Sequence, residues 1–242
     1  MSRRVLNEPP PPADQRIPYG DHPSQFVDYR YPSGRGPHPL AIYIHGGFWR
    51  ARIDLTHGGH PCAALTAAGF TTANIEYRRA GEEGGGWPGT LGDVRRAVEF
   101  VLRGAGLPAR AAGPGGPPHV LLGHSAGGHL ALCLAAEMPD LRRVIALAPV
   151  ADPRRAYELT LGDGAVADFF RGSPADFPER YAMRPPACPT VLIHGAADEV
   201  VPIELNRGFP GAQFIELPGA DHFDVIDPQS AAFAETLRAA RA

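Results

Sequence analysis

The 242-residue chain is arranged about the run Val120-Leu121-Leu122-Gly123-His124-Ser125-Ala126-Gly127-Gly128-His129-Leu130-Ala131-Leu132. A short apolar run of β-branched and leucine residues enters a Gly-x-Ser-x-Gly turn, and a run rich in Ala and Leu, both good helix formers, leaves it. Strand, sharp turn and helix in that order place one serine at the tip of the turn. Bulk at position 123 or 127 would collide with the strand and helix that cross there, so the turn needs glycine. The Oγ of Ser125 then projects clear of the strands. The N–H of Ala126 falls at a helix N-terminus, where negative charge is favoured.

Working outward, the same alternation recurs on both sides. Leu40-Ala41-Ile42-Tyr43-Ile44 reads as a buried strand that ends directly in His45-Gly46-Gly47-Phe48-Trp49. A helix is expected near residues 59–68, a strand over 71–77, and an amphipathic helix over 90–103 with Leu91, Val94, Val98, Val101 and Leu102 on one face. Residues 78–89, rich in glycine, and the Gly/Pro tract 104–118 read as loops. Beyond the serine come strands at 144–148, 190–194 and 213–217, with helices near 202–208 and 228–240. Strand alternating with helix predicts an α/β fold: a doubly wound, mostly parallel sheet with right-handed crossovers. Residues 149–186 break the alternation and read as a cap-like insertion over the face where the strands end. Residues 17–31 suggest an antiparallel edge hairpin, followed by a turn at 33–37. Residues 1–16, polar and proline-rich, are expected to form a flexible arm that is ordered only by lying on the body or on a partner, leaving 17–242 as one domain.

A serine hydroxyl is a poor nucleophile unless a base takes its proton and a third group holds that base. In a doubly wound sheet such groups lie at the carboxyl ends of strands. His222 follows the last strand, in Pro218-Gly219-Ala220-Asp221-His222-Phe223, and Asp198 follows Thr190-Val191-Leu192-Ile193-His194 and its Gly-Ala-Ala turn. Ser125, Asp198 and His222 are therefore the expected catalytic set, with Glu199 and Asp224 as rivals to Asp198. Asp221 and Asp224 read as local turn groups, and His124 and His129 as packing or hydrogen-bonding residues. His45 is expected to brace its own loop. An oxyanion needs two backbone donors: Ala126 supplies one and Gly46 or Gly47 the other, since a residue without a side chain lets the backbone come close. Phe48, Trp49 and Trp87 are candidate walls for the acyl or leaving group. His57, His60 and His194 lack metal-ligand spacing with carboxylates, so no metal site and no cofactor are expected.

The formal charge of −3 and the lack of any long run of one sign offer nothing to nucleic acid or an anionic membrane. No stretch approaches the ~18 apolar residues of a membrane span, and the Pro9–Pro12 tract interrupts any leader-like segment. Cys62, Cys133 and Cys188 are odd in number and widely spaced, which fits a reducing cytoplasm. A homodimer through an edge strand or terminal helix is compatible with the sequence, though no pattern demands it.

His45-Gly46-Gly47-Phe48-Trp49, the run from Gly123 to Ala131, and the order Ser125, Asp198, His222 resemble the esterase/lipase branch of the α/β-hydrolase superfamily over residues 38–240. The His-Gly-Gly-x-Trp form, Ser-Ala-Gly-x-His-Leu-Ala and His222-Phe223-Asp224-Val225-Ile226 look most like the kynurenine formamidase (arylformamidase) group and its esterase relatives. The glycine-rich segment around Gly84-Gly85-Gly86-Trp87-Pro88 departs from that group and is more similar to bacterial esterases and peptidase-like hydrolases. The resemblance implies an α/β-hydrolase fold and a serine hydrolase that acts on a small ester or amide, an aryl formamide among them, through an acyl-enzyme. A general short-chain carboxylesterase, a peptidase-like hydrolase, and a non-catalytic small-molecule receptor on the same scaffold are the competing readings; the complete Ser-Asp-His set argues against the last.

Overall fold

Eight segments are apolar enough, or sit close enough to the edge, to pair as strands, and in the computed structural model they join in one sheet. The structure describes residues 3–34, 37–104, 107 and 119–242. Most of the expected loop 104–118 and part of the expected turn 33–37 lie outside the described residues. In chain order the strands and helices are α1 Arg4–Asn7, β1 Gln15–Pro18, β2 Phe26–Arg30, β3 Leu40–Ile44, α2 Gly59–Ala67, β4 Thr71–Ile75, α3 Gly89–Leu102, β5 His119–His124, α4 Ala126–Glu137, β6 Val144–Leu147, α5 Pro153–Glu158, α6 Ala165–Phe170, β7 Thr190–Gly195, β8 Gln213–Leu217 and α7 Phe233–Arg241. Their order across the sheet is β1-β2-β4-β3-β5-β6-β7-β8. β1–β2 and β2–β4 are antiparallel, and every pairing from β4–β3 onward is parallel. The expected edge hairpin is thus present, and the doubly wound parallel sheet with it.

Every residue of β3, β4 and β6 is buried, as a parallel sheet covered on both faces requires. Leu40, Ile42 and Ile44 point to one face, where Val94 and Val98 of α3 and Leu130 and Leu134 of α4 pack. Ala41 and Tyr43 point to the other, beneath Cys62 and Leu65 of α2 and Ala239 of α7. Strand order reverses at β3, whose neighbours are β4 on one side and β5 on the other. That is the switch point at which loops diverge to either face and leave a crevice. The register there sets Ile44 beside Gly123, so the loop after β3 meets the turn after β5. Gly195 pairs with Leu217 in the same way, which brings the loops after β7 and β8 together.

The arm lies on the body, as one of the two expected arrangements has it: Val5 is buried, Arg4 pairs with Asp227 at 2.6 Å, and the carbonyls of Glu8 and Pro11 accept from His60 and Arg30. Three expectations are corrected. The hairpin begins at Gln15, so the arm ends two residues earlier than expected. The helix expected near 202–208 is only a 3-10 turn, Ile203–Leu205, because the Asn206 side chain turns inward onto His194 and Gly208 takes φ +79°. The last helix starts at Phe233, since Asp227 and Ser230 use their side chains to hold the amides of Gln229 and Ala232 in turns instead.

The insertion 149–186 carries α5 and α6 and is seated on the body. Phe169 and Phe170 of α6 are fully buried, Phe169 stacks on Trp49 at 4.6 Å, and its carbonyl accepts from the Trp87 N–H. Among the described residues, no helix is long and apolar enough to cross a membrane.

Candidate active site

β5 delivers Ser125 in the left-handed region, φ +55° and ψ −119°, and α4 begins at the next residue. A serine there is strained, and it persists only because its surroundings fix it. A Cβ at Gly127 would lie 2.2 Å from the Ile44 carbonyl oxygen, and one at Gly123 would lie 2.3 Å from that of Gly127. The turn can therefore form only with glycine at both places. The Ser125 N–H donates to the Leu147 carbonyl at 2.8 Å, fastening the turn to β6.

His222 stands on the loop after β8 with its ring buried. Its Nδ1 donates to Asp198 Oδ2 at 2.7 Å, and its carbonyl accepts from His124 Nε2 at 2.9 Å. The residue next to the serine thus grips the backbone of the histidine loop. The rivals to Asp198 fall away: Glu199 is exposed, and Asp224 accepts from the Asp221 N–H in a local turn. Asp221 likewise holds the amides of Phe223 and Asp224.

Asp198 is more fully held than the sequence suggests. Oδ1 accepts from the amides of Val200 and Val201 at 2.8 Å each. A second imidazole stands against the carboxylate: His194 Nε2 donates to the Val201 carbonyl at 2.9 Å and lies 3.0 Å from Oδ2. The other His194 nitrogen accepts from the Asn206 side-chain amide at 2.9 Å, which leaves the ring proton on Nε2. Burial works against the Asp198 charge, but the hydrogen bonds from His194 and His222 hold its carboxyl well below the usual carboxylate range. Sequence reasoning set His194 aside for want of metal spacing. Its place at the carboxyl end of the strand that supplies Asp198 was the available signal.

The loop after β3 passes beside the serine, and a Cβ on Gly46 would come within 3.0 Å of Ser125 Cβ. Gly47 has φ +113°, and Phe48 and Trp49 follow at +51° and +56°, two consecutive side-chain-bearing residues in the left-handed region. Ala126 opens α4, so its N–H has no intrahelical acceptor. His45 braces this loop as expected: Nδ1 bonds the Gly46 carbonyl at 2.7 Å and Nε2 bonds Glu76 at 2.9 Å.

The candidate pocket walls are only partly brought together. Trp49 is wholly buried between Phe169 and His129, so it is a core residue, turned inward by its own backbone. Trp87 lines a separate cavity of about 260 Å³ with Cys133, Glu137, Met183 and others; it faces the insertion and not the serine. Phe48 stays half-buried at the loop, its ring against Gly162 of the insertion. A small pocket of about 160 Å³ adjoins His222, lined by Arg3, Glu199, Val200, Asp221, His222 and Phe223. Arg3, from the arm, is a wall that nothing in the sequence announced. Among the described residues, no group of His, Cys, Asp and Glu is arranged to hold a metal ion.

A strained serine at a strand-to-helix turn, with a histidine on an aspartate at the neighbouring strand ends, defines the α/β-hydrolase class. The family model BD-FAE matches residues 28–146, and the family model Esterase matches residues 107–205. Esterase LipC of Mycobacterium tuberculosis is 28% identical, over 88% of this chain and 60% of that protein. Kynurenine formamidase of Danio rerio is 31% identical over 48% of this chain and 36% of that protein. The chain therefore spans less than two thirds of either relative. Among solved structures, esterase B of Lactobacillus rhamnosis superposes with a TM-score of 0.75 at 19% identity, over 99% of this chain and 88% of that one, a likeness of fold. These likenesses support an α/β-hydrolase of the esterase branch.

Proposed function

We propose that this protein is a serine hydrolase that cleaves small carboxylic esters through an acyl-enzyme, with Ser125 as nucleophile, His222 as base and Asp198 as its orienting carboxylate. The observation that carries the proposal is the Asp198–His222 hydrogen bond at 2.7 Å through Nδ1, which leaves Nε2 for a serine in a strained turn at the next strand end but two. His222 takes the Ser125 proton while Oγ bonds the substrate carbonyl carbon, and the carbonyl π pair moves onto oxygen. That oxygen is received by the N–H groups of Ala126 and of Gly46 or Gly47. When the oxyanion collapses, the bond to the leaving alcohol or amine breaks and that group takes the proton from His222. Water, deprotonated by the same imidazole, then attacks the acyl carbon and releases the acid and Ser125.

The small space beside His222, about 160 Å³, favours short acyl groups, and formyl is the shortest. An aryl formamide is therefore the narrower substrate we propose, in keeping with the likeness to a kynurenine formamidase over 48% of the chain. Turnover of p-nitrophenyl acetate, a p-nitrophenyl ester of about eight carbons and N-formylkynurenine separates the cases. Preference for the formyl amide selects the formamidase, and preference for the short ester selects a general carboxylesterase. Ser125→Ala is expected to lower kcat by on the order of 10⁶-fold. Survival of most of the activity, or failure of a fluorophosphonate to label Ser125, sinks the proposal.

A further inference from the structure

Behind the loop that follows β3 lies a buried ion pair that the acyl-transfer scheme does not use. Glu76 is 2% exposed and His45 fully buried. Every polar neighbour of the Glu76 carboxyl is a donor: Oε1 accepts from His45 Nε2 at 2.9 Å and from the Tyr77 N–H at 3.0 Å, and Oε2 accepts from the Leu55 N–H at 2.9 Å. The Arg79 guanidinium lies 3.5 Å from Oε1. A carboxylic acid proton would have no acceptor there, so the group is a carboxylate and His45 Nε2 carries a hydrogen. The other ring nitrogen, Nδ1, lies 2.7 Å from the Gly46 carbonyl oxygen. A carbonyl can only accept, so Nδ1 carries a hydrogen too. Both ring nitrogens donate, and the ring is an imidazolium. It stacks on Tyr77 at 4.4 Å and 15°, the face-on placement an aromatic ring offers a cation. The other ring against it is His57, edge-on at 5.9 Å.

The acceptors of these donors matter. In a trans peptide the C=O and the following N–H point in opposite directions and share one dipole. The Gly46 carbonyl, held by His45 Nδ1, belongs to the peptide whose N–H is that of Gly47. The His45 carbonyl accepts from the Tyr77 hydroxyl at 2.8 Å, and it belongs to the peptide whose N–H is that of Gly46. Both amides placed beside Ser125 therefore sit on peptides whose carbonyls are clamped and polarised from the buried side, and a hydrogen bond to one end strengthens the donor at the other. We propose that the Glu76–His45 ion pair and Tyr77 form a polarising clamp on the oxyanion loop, with His45 a buried imidazolium that orients the 46–47 peptide and raises the donor strength of the Gly47 N–H. His45, Glu76 and Tyr77 are then positioning residues for an anionic tetrahedral intermediate. The proposal rests on the reading of Gly46 and Gly47 as oxyanion donors.

Two measurements decide it. Ring ¹⁵N NMR of His45 in the resting wild-type protein at neutral pH, assigned through His45→Gln, should show both nitrogens protonated, a result that needs no substrate. With a short p-nitrophenyl ester, Glu76→Gln and Tyr77→Phe should each lower kcat by about 10-fold to 100-fold, less than the 10²–10³ lost with a whole oxyanion donor, while KM stays within about twofold. An unprotonated ring nitrogen in the wild type overturns the imidazolium, and kcat within twofold of wild type in both variants overturns the clamp. If Glu76→Gln does not fold, the wild-type spectrum and Tyr77→Phe carry the decision. Fluorophosphonate labelling, run alongside, reports separately on Ser125: loss of labelling there removes the hydrolase reading, and the NMR result still decides the ion pair.

Discussion

Asp198 is held by several donors, and each has its own task. The two amides on Oδ1 belong to its own turn and fix its direction; His222 donates to Oδ2, and His194 stands 3.0 Å from the same oxygen. Replacing the carboxylate by an amide presents His222 with a group that can donate as well as accept, so the tautomer that leaves Nε2 free is no longer enforced. Asp198→Asn should lower kcat by about 10⁴ with little change in KM, as steady-state kinetics on a short p-nitrophenyl ester will show. Ser125 and Asp198 could be placed in sequence because they follow the buried strands β5 and β7, and His222 because it follows the half-exposed edge strand β8, whose apolar residues still mark where it ends. What could not be read was direction. Phe48 and Trp49 look alike in sequence, yet their backbones send one to the loop surface and the other into a stack with Phe169. Trp49→Ala should accordingly cost about 3–5 kcal/mol of stability in urea unfolding, as for a large buried aromatic, and leave the ratio of kcat/KM between acetyl and octanoyl esters nearly unchanged. Unchanged stability with altered chain-length preference would return Trp49 to the pocket.

Among the elements, the buried strands were legible almost to the residue because a strand covered on both faces is a continuous apolar run. The helices near 202 and 228 were not. Asn206, Asp227 and Ser230 spend their side chains on local or long-range hydrogen bonds that compete with helix, and the partner of Asn206, His194, lies on another element. The arm shows the same limit: its anchor Arg4–Asp227 joins residues far apart in the chain, a pairing no local pattern contains. The insertion is held at its tip by Arg50, whose Nη2 donates to the carbonyls of Gly162 and Asp163 at 2.8 Å each, with Phe48 packed on Gly162. Arg50 also directly follows Gly46–Trp49 of the loop after β3, so one residue couples loop and insertion. Arg50→Ala should free the segment 159–164 and speed its cleavage in limited proteolysis severalfold, while global stability falls by only about 1–2 kcal/mol. An unchanged cleavage pattern would show that the aromatic stack alone seats the insertion.

For the molecule as a whole, the histidines set how stability depends on acidity. Burial, aided by the charge of His45, lowers His57 to about 3. Burial alone lowers His129 to about 3, and burial, then the charge of His222, takes His124 well below its ordinary value. All three are neutral in the folded protein, whereas in the unfolded chain they titrate near 6.5. Below that value the unfolded state binds more protons than the folded one, so stability falls as pH falls. Each such group contributes up to about 1.4 kcal/mol per pH unit, and the three together about 4. Asp198 acts in a lower window: its depressed carboxyl stabilises the fold above about pH 4, and that contribution is lost only as pH falls further. Between pH 5 and 6.5 the histidines therefore dominate. His129 isolates the effect, because its Nδ1 is buried without a partner and its Nε2 meets only the Cys133 thiol at 3.7 Å, so an apolar replacement breaks no strong hydrogen bond. In His129→Leu the free energy of unfolding, from urea titrations at half-unit steps across that range, should fall less steeply with acid, by about one proton. Parallel slopes for the variant and the parent would mean that His129 is not held neutral by the core, and that acid acts on this fold through its carboxylates.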